Sequence, residues 1–324
     1  GPARLGDGRV APPRHGRQDH RGVHGDRSDA QPVRDPPLLH ARILPHMTTD
    51  RSLQPGILDE SPVCHWVQQY EVVQGVDVAA LRAALGEIRG LERAERGPER
   101  VVEGTDGHGV PATQDDLLLW FSSASADRCL SGAWLARSAL GGLAELREET
   151  PGFQYFDHQD LTGFEDGTEN PKGEERVAVA GIPAGPSAGG SFVLAMRWVH
   201  DLAAFEALAV DEQELVFGRT RDGSVELDPL PERAHVERVV MEVAVGQEGE
   251  IYRRSFPYGT TSELGLFFLA FNADLSTFHD MLERMYGIAD GLRDRLTDVS
   301  RAVSGAYYVA PPVEVLDAIT APTP

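Results

Sequence analysis

Residues 265–276 read GLFFLAFNADLS, and residues 117–128 read LLLWFSSASADR. Both are continuous apolar runs that end in small polar residues and an Ala-Asp pair. An uninterrupted apolar run suits a strand buried on both faces. An aspartate just after it is placed to cap a helix. The same order, strand then Ala-Asp then helix, therefore occurs twice in one chain.

Working outward, each run sits in a matching frame. Residues 65–74, HWVQQYEVVQ, alternate as a strand, and Asp77 is placed to cap a helix through Leu81, Leu85 and Ile88. A Gly-rich loop at 103–109 leads to the strand at 116–123. Asp127 then opens a helix through Leu130, Trp134 and Leu135. In the second half, SFVLAMRWV (191–199) reads as a strand, and Asp201 opens a helix with Leu202, Phe205 and Leu208. The strand at 264–271 follows, and Ala273-Asp274 opens STFHDMLERMYG. Each half is strand-helix-strand twice over, the ferredoxin-like unit. A repeat longer than about 120 residues is a duplication and not a solenoid. The expected fold is α+β, a duplicated ferredoxin-like fold. The expected boundaries are 57–170 for the N-terminal half, 171–190 for an exposed Gly/Pro/Ala-rich linker, 191–313 for the C-terminal half and 314–324 for a tail.

Residues 1–46 differ from the rest. They hold eight arginines, seven prolines, six glycines and five histidines, with no amphipathic period. His46-Met47-Thr48-Thr49 resembles a true start. The segment reads as a leader or translated upstream sequence, expected to be disordered and lacking the apolar core of an export signal.

Composition narrows the function. The chain has 324 residues, 41% hydrophobic and 25% charged, which marks a globular protein. Its net charge is −21, from 30 basic and 51 acidic residues. Such a surface repels phosphate backbones, so no nucleic acid partner is expected. It favours neutral or cationic substrates. No run of 18 apolar residues occurs, so no membrane span is expected. Cys64 and Cys129 form no CxxC pair and read as reduced, buried thiols. With no export signal, they point to the cytoplasm.

Three motifs carry chemistry. The first is Asp160-Leu161-Thr162-Gly163-Phe164-Glu165-Asp166-Gly167-Thr168-Glu169-Asn170-Pro171. Its glycines permit unusual backbone angles, and Asp-Gly marks a tight turn. It reads either as a solvated surface loop or as a rigid frame that holds Asp166 over a ligand. The second is His235 in PERAHVERVVME, on a helix that places it one turn from Val239. A lone histidine on an apolar stripe is ordinarily a hydrogen-bonded core residue, and the spacing leaves a ligand role open beside that. His200 reads as a surface residue and His279 as a helix residue. The third motif is GEIYRRSFPYGT, a strand ending at Pro257 and Gly259. Side chains alternate along it, so Arg253 and Ser255 share one face and Arg254 the other.

In this order, GxxDG, then histidine, then arginine before Pro-Tyr-Gly, the motifs resemble the dye-decolourising peroxidases, a haem peroxidase family. MLERMYG and the stretch through GAYYVAPP resemble its bacterial branch without a twin-arginine signal. The likeness runs from about residue 60 to 313. It implies haem b, one per chain, with His235 as the proximal ligand. It implies Asp166 and Arg253 as the distal catalytic pair, bordered by Gly167, Thr168, Glu169 and Ser255, and leaves Arg254 at the surface. Some relatives carry Asn where this chain has Ser255. Leu266, Phe268, Phe278, Met281 and Met285 have spacings that suit an apolar haem wall, and equally a plain core. Asp290 and Asp294 are the candidate acidic partners of the proximal histidine.

The resemblance implies a peroxidase that reduces hydrogen peroxide through a ferryl intermediate and oxidises dyes, phenols or other small reductants. It implies a homo-oligomer. Some relatives enter encapsulin shells through a C-terminal peptide; EVLDAITAPTP lacks the Gly/Leu-rich character of such tails, so packaging is not expected. Two alternatives stand beside this: a haem carrier, and a protein that releases iron from haem.

Overall fold

Apolar side chains along the central strands, Leu117–Ser123 and Ser191–His200, build two faces, and both are largely buried. The computed structural model describes residues 52–88, 92–96, 102–104, 107–240, 242–244 and 247–320. The leader-like residues 1–46 and the last four residues lie outside these.

The N-terminal half runs β1 (Cys64–Val72), a helix Val78–Glu87, β2 (Glu92–Arg96), β3 (Leu117–Ser123), a helix Ala126–Ala139 and β4 (Ala144–Phe153). The C-terminal half runs β5 (Ser191–His200), short helices including His235–Val239, β6 (Tyr252–Arg253) and β7 (Phe256–Gly259), β8 (Leu264–Asn272), a helix Leu275–Met285, then β9 (Ser300–Ala302) and β10 (Ala306–Ala310). The first half orders its strands β4-β1-β3-β2, and the second β7-β8-β5-β10, with β6 and β9 extending β7 and β10. Both orders are ferredoxin-like. Every pairing in this sheet is antiparallel.

The halves meet edge to edge. Tyr258 on β7 pairs with Gly152 on β4, and Tyr308 on β10 pairs with Arg96 on β2. Because β8 also pairs with β5, the ring of strands is closed. Closure removes the free edges that two separate sheets would expose. One cluster draws from both halves: Val67, Trp120, Val193, Phe256, Phe267 and Tyr308, with Ile57 from the helix Pro55–Leu58. This is the barrel interior. The alternate residues face outward. Leu119 and Phe121 pack on the helix Ala126–Ala139, and Leu194, Met196 and Trp198 pack on the helix Leu275–Met285.

Asp77, Asp201 and Asp274 cap their helices as the sequence suggests, each accepting a backbone N–H. Three expectations change. In the helix Ala126–Ala139, Cys129, Ala133 and Ala136 face the sheet, and Leu130, Trp134 and Leu135 are exposed. The small residues let the helix lie close to the sheet. Residues 171–190 are not uniformly exposed: the helix Glu175–Ala180 buries Ala180, and Val179 C=O accepts from Ala273. Residues Val313–Thr320 form a helix that buries Val315 and Ile319, where a tail was expected.

Candidate functional site

The outward face of the C-terminal half carries a cavity of about 490 Å³. Its apolar floor comes from sheet residues Met196, Trp198, Leu266 and Phe268 and from Met281 and Met285 on the helix Leu275–Met285. Polar groups come from the 160–170 loop, the helix His235–Val239 and strand β6. A roomy apolar pocket with a few convergent polar groups is the usual form of a small-molecule site.

His235 opens its helix and lines the cavity. Its Nδ1 lies 2.7 Å from Asp294 Oδ2, and Asp294 is fully buried. Asp294 Oδ1 also accepts the Leu296 N–H, which fixes the carboxylate. A carboxylate oxygen in this position accepts, so Nδ1 is the donor, and in the neutral tautomer that this bond selects the lone pair lies on Nε2. Phe217 meets the imidazole edge-on at 6.3 Å and stacks on Phe164 of the loop at 4.1 Å. Asp290, the other candidate partner, instead pairs with buried Arg238 at 2.8 Å. His279 pairs with Glu283 and is not among the cavity-lining residues.

Asp166 and Arg253 meet at the cavity wall, with Oδ1 3.3 Å from Nη1. The loop needs its glycines here: Gly163 has φ +82° and Gly167 φ +79°, angles costly for other residues. Asn170 fastens the loop to Arg253 itself. Its amide nitrogen donates to the Arg253 carbonyl at 2.8 Å, and its oxygen accepts the Arg253 N–H at 3.0 Å. Gly167, Thr168 and Glu169 also line the cavity, and Glu169 pairs with Arg219.

Three residues sit elsewhere than expected. Phe278 is fully enclosed in the cluster beneath the cavity and does not line it, because it lies one helical turn before Met281. Ser255 also stays out of the lining, and its hydroxyl faces the Leu269 N–H at 3.4 Å. Arg254 is not at the surface. Alternation does turn it away from Arg253, but in a closed barrel the other face is the interior. There it donates to the Gly56 and Ile57 carbonyls and lies 5.1 Å over the Trp120 ring.

Sequence reasoning missed Phe217, Arg219, Asp160 and His200, all of which line the cavity. For His200 the signal was available. It shares strand parity with Met196 and Trp198, so it belongs to the cavity face and its side chain is only 5% exposed. It bridges Asp160 Oδ1 at 3.2 Å and Ser300 Oγ at 2.7 Å. Burial alone would raise the Asp160 carboxyl, but the bonds from His200 and Thr162 outweigh it and hold the group below its ordinary value.

In sequence and overall structure the chain resembles a family of known proteins. Residues 157–315 match the model of the Dyp-type peroxidase C-terminal family. A dye-decolorizing protein from V. cholerae superposes with a TM-score of 0.76 at 34% identity, covering 82% of this chain and 99% of that one. A Rhodococcus jostii RHA1 DypB variant in complex with heme superposes with a TM-score of 0.75 at 28% identity, covering 79% and 95%. The dye-decolorizing peroxidase of Rhodococcus erythropolis is 35% identical over 219 residues, 65% of this chain and 64% of that relative. The match thus spans just under two thirds of this relative's length. The chain belongs to the Dyp-type peroxidase family.

Proposed function

We propose that the chain binds one haem b in this cavity through His235 Nε2, reduces hydrogen peroxide there and oxidises dyes, phenols or other small reductants. The observation that carries this reading is the pairing of Asp166 with Arg253 on the same cavity that His235 lines.

The residues present fit the group. A neutral imidazole with its lone pair on Nε2 is an iron ligand, and a buried carboxylate on Nδ1 raises its donor strength. The walls are aliphatic and aromatic, as an apolar macrocycle needs, and most come from residues 191–313. When bound, the haem supplies the iron at which peroxide is held and the electrons that break its O–O bond. The chain's own residues move the proton and shape the field. Asp166 uses Oδ1 on Arg253, and among the described residues Oδ2 takes no side-chain hydrogen bond. Oδ2 takes the proton from one peroxide oxygen and returns it to the other, which leaves as water. Arg253 holds its positive charge at every working pH and faces the charge that develops as the bond breaks. A carrier needs neither group.

The test is turnover. The haem-loaded protein should consume many equivalents of peroxide with a dye while its Soret band survives. Transfer of its haem to apo-myoglobin within minutes, with no sustained turnover, supports a carrier. Release of free porphyrin and ferrous iron supports an iron-releasing enzyme.

We also infer a homo-oligomer in the cytoplasm. Exposed Leu130, Trp134 and Leu135 on one helix supply an apolar contact surface, and both cysteines are free. Among the described residues no helix is long and apolar enough to cross a membrane. Sedimentation that shows only a 35.2 kDa species at micromolar concentration refutes the oligomer.

A further inference from the structure

Asp166 is only as well placed as the loop that carries it. That loop starts at Asp160, whose side chain knits the turn together. Asp160 Oδ2 accepts the Thr162 N–H at 3.1 Å and the Thr162 hydroxyl at 2.6 Å. The Asp160 N–H donates to Phe164 at 2.8 Å, and its carbonyl accepts from Gly163 at 2.9 Å. Two residues later comes Asp166. At its far end the loop is tied by Asn170 to the Arg253 backbone. The near end is held by Phe164 stacked on Phe217, by the Asp166 N–H bonded to the His158 carbonyl, and through Asp160 Oδ1. Among the described residues His200 is the one side chain that donates to that oxygen, at 3.2 Å.

His200 stands on firm ground. It ends β5, pairs in register with Ser300 of β9, and its Nδ1 lies 2.7 Å from the Ser300 hydroxyl. With Asp160 ionised and able only to accept, Nε2 is the donor. The imidazole is thus a strut between the barrel wall and the loop. It touches neither Asp166 nor Arg253 in any contact seen.

We propose that His200 is a positioning residue for the peroxide chemistry: it clamps Asp160 to the end of β5 and so holds Asp166 against Arg253. The proposal rests on the role given to Asp166 above. Without the imidazole, a buried carboxylate loses a charge-assisted bond, and the cheapest relief is for the turn to open towards water. A displacement of about 1 Å in a catalytic group costs up to about 10²-fold in rate.

Haem-loaded wild type, His200→Ala, His200→Gln and Asp160→Asn test this by three readouts: the second-order rate with peroxide, hydrogen exchange of the 160–170 amides, and haem affinity by titration. His200→Ala should slow the peroxide reaction about tenfold or more. It should speed exchange at Thr162, Gly163 and Asp166, and the haem titration sets equal occupancy for the rate comparison. His200→Gln restores a donor to Asp160 and should recover most of both losses, which a merely space-filling role would not require. Asp160→Asn should reproduce His200→Ala. Wild-type exchange in His200→Ala overturns the clamp, as does failure of His200→Gln to restore either readout. If His200→Ala does not fold, Ser300→Ala loosens the same ring without emptying its site. Unchanged exchange there counts against the proposal. A wild type inert to peroxide refutes the proposed function instead, while the exchange data still decide the clamp.

Discussion

Asp290 and Asp294 lie four positions apart, yet their surroundings give them different work. Asp294 is fully buried and aims one oxygen at His235 Nδ1; Asp290 neutralises Arg238. The sequence offered both as partners of the proximal histidine and gave no ground for choosing. The choice depends on how the 290s loop packs under the helix His235–Val239, a contact between segments about sixty residues apart. Asp294→Asn should weaken haem binding by about 10- to 100-fold, the usual cost of losing such a partner. Asp290→Asn should leave affinity within a few-fold. A haem titration followed at the Soret band measures both, and equal affinities for wild type and Asp294→Asn would remove the carboxylate from the account. Arg253 and Asp166 were named through the family resemblance; strand parity by itself only put Arg253 and Arg254 on opposite faces and did not say which face carries the cavity. His200 shares the parity of Met196 and Trp198 but was read by its place at the end of a strand.

At the scale of elements, the helix caps and the central strands were readable because each depends on a few neighbouring residues. The closure of the barrel was not. It rests on short edge contacts between β4 and β7 and between β2 and β10, which periodicity does not reveal. That gap explains the misplacement of Arg254, since a strand face that looks solvated from sequence became the barrel interior. One glycine reports on how tightly the strands are laid together. A Cβ on Gly265 of β8 would fall 1.8 Å from the Trp198 carbonyl on β5. Backbone must shift to accept it, so Gly265→Ala should cost about 1–3 kcal/mol, read from urea midpoints at unchanged slope. The same strands bear Trp198 and Leu266, so haem affinity should fall with it. A variant as stable as wild type would mean that β5 and β8 are not in this register.

For the whole molecule, one shared interior should make the halves unfold together, and acid should weaken that interior. His65 lies inside it, stacked on Phe256 at 4.6 Å, and its Nδ1 accepts the Trp120 indole N–H at 3.3 Å. Burial, with a smaller contribution from nearby Arg254, pushes its pKa down to about 3. The unfolded chain therefore binds one more proton at this site between about pH 6.5 and 3. Stability is complete above pH 6.5 and is lost as pH falls through that window. Urea titrations at pH 7, 5.5 and 4 should show the loss, and His65→Gln should flatten it by up to one proton's worth of slope. An unchanged slope would mean that His65 is not titrating as a buried neutral ring.

We propose that Asp166 and Arg253 act on peroxide in the cavity where His235 would hold the haem. Stopped-flow mixing of peroxide with wild type, Arg253→Leu and Asp166→Asn, at equal haem occupancy and across pH 4–8, addresses it most directly. Removing one preorganised charge should slow the reaction of Arg253→Leu by about 10²-fold or more, with Asp166→Asn costing less. Reaction of both variants at the wild-type rate would contradict the site. Loss of reaction in Asp166→Asn alone, with Arg253→Leu barely changed, would keep the site but make the carboxylate its essential group.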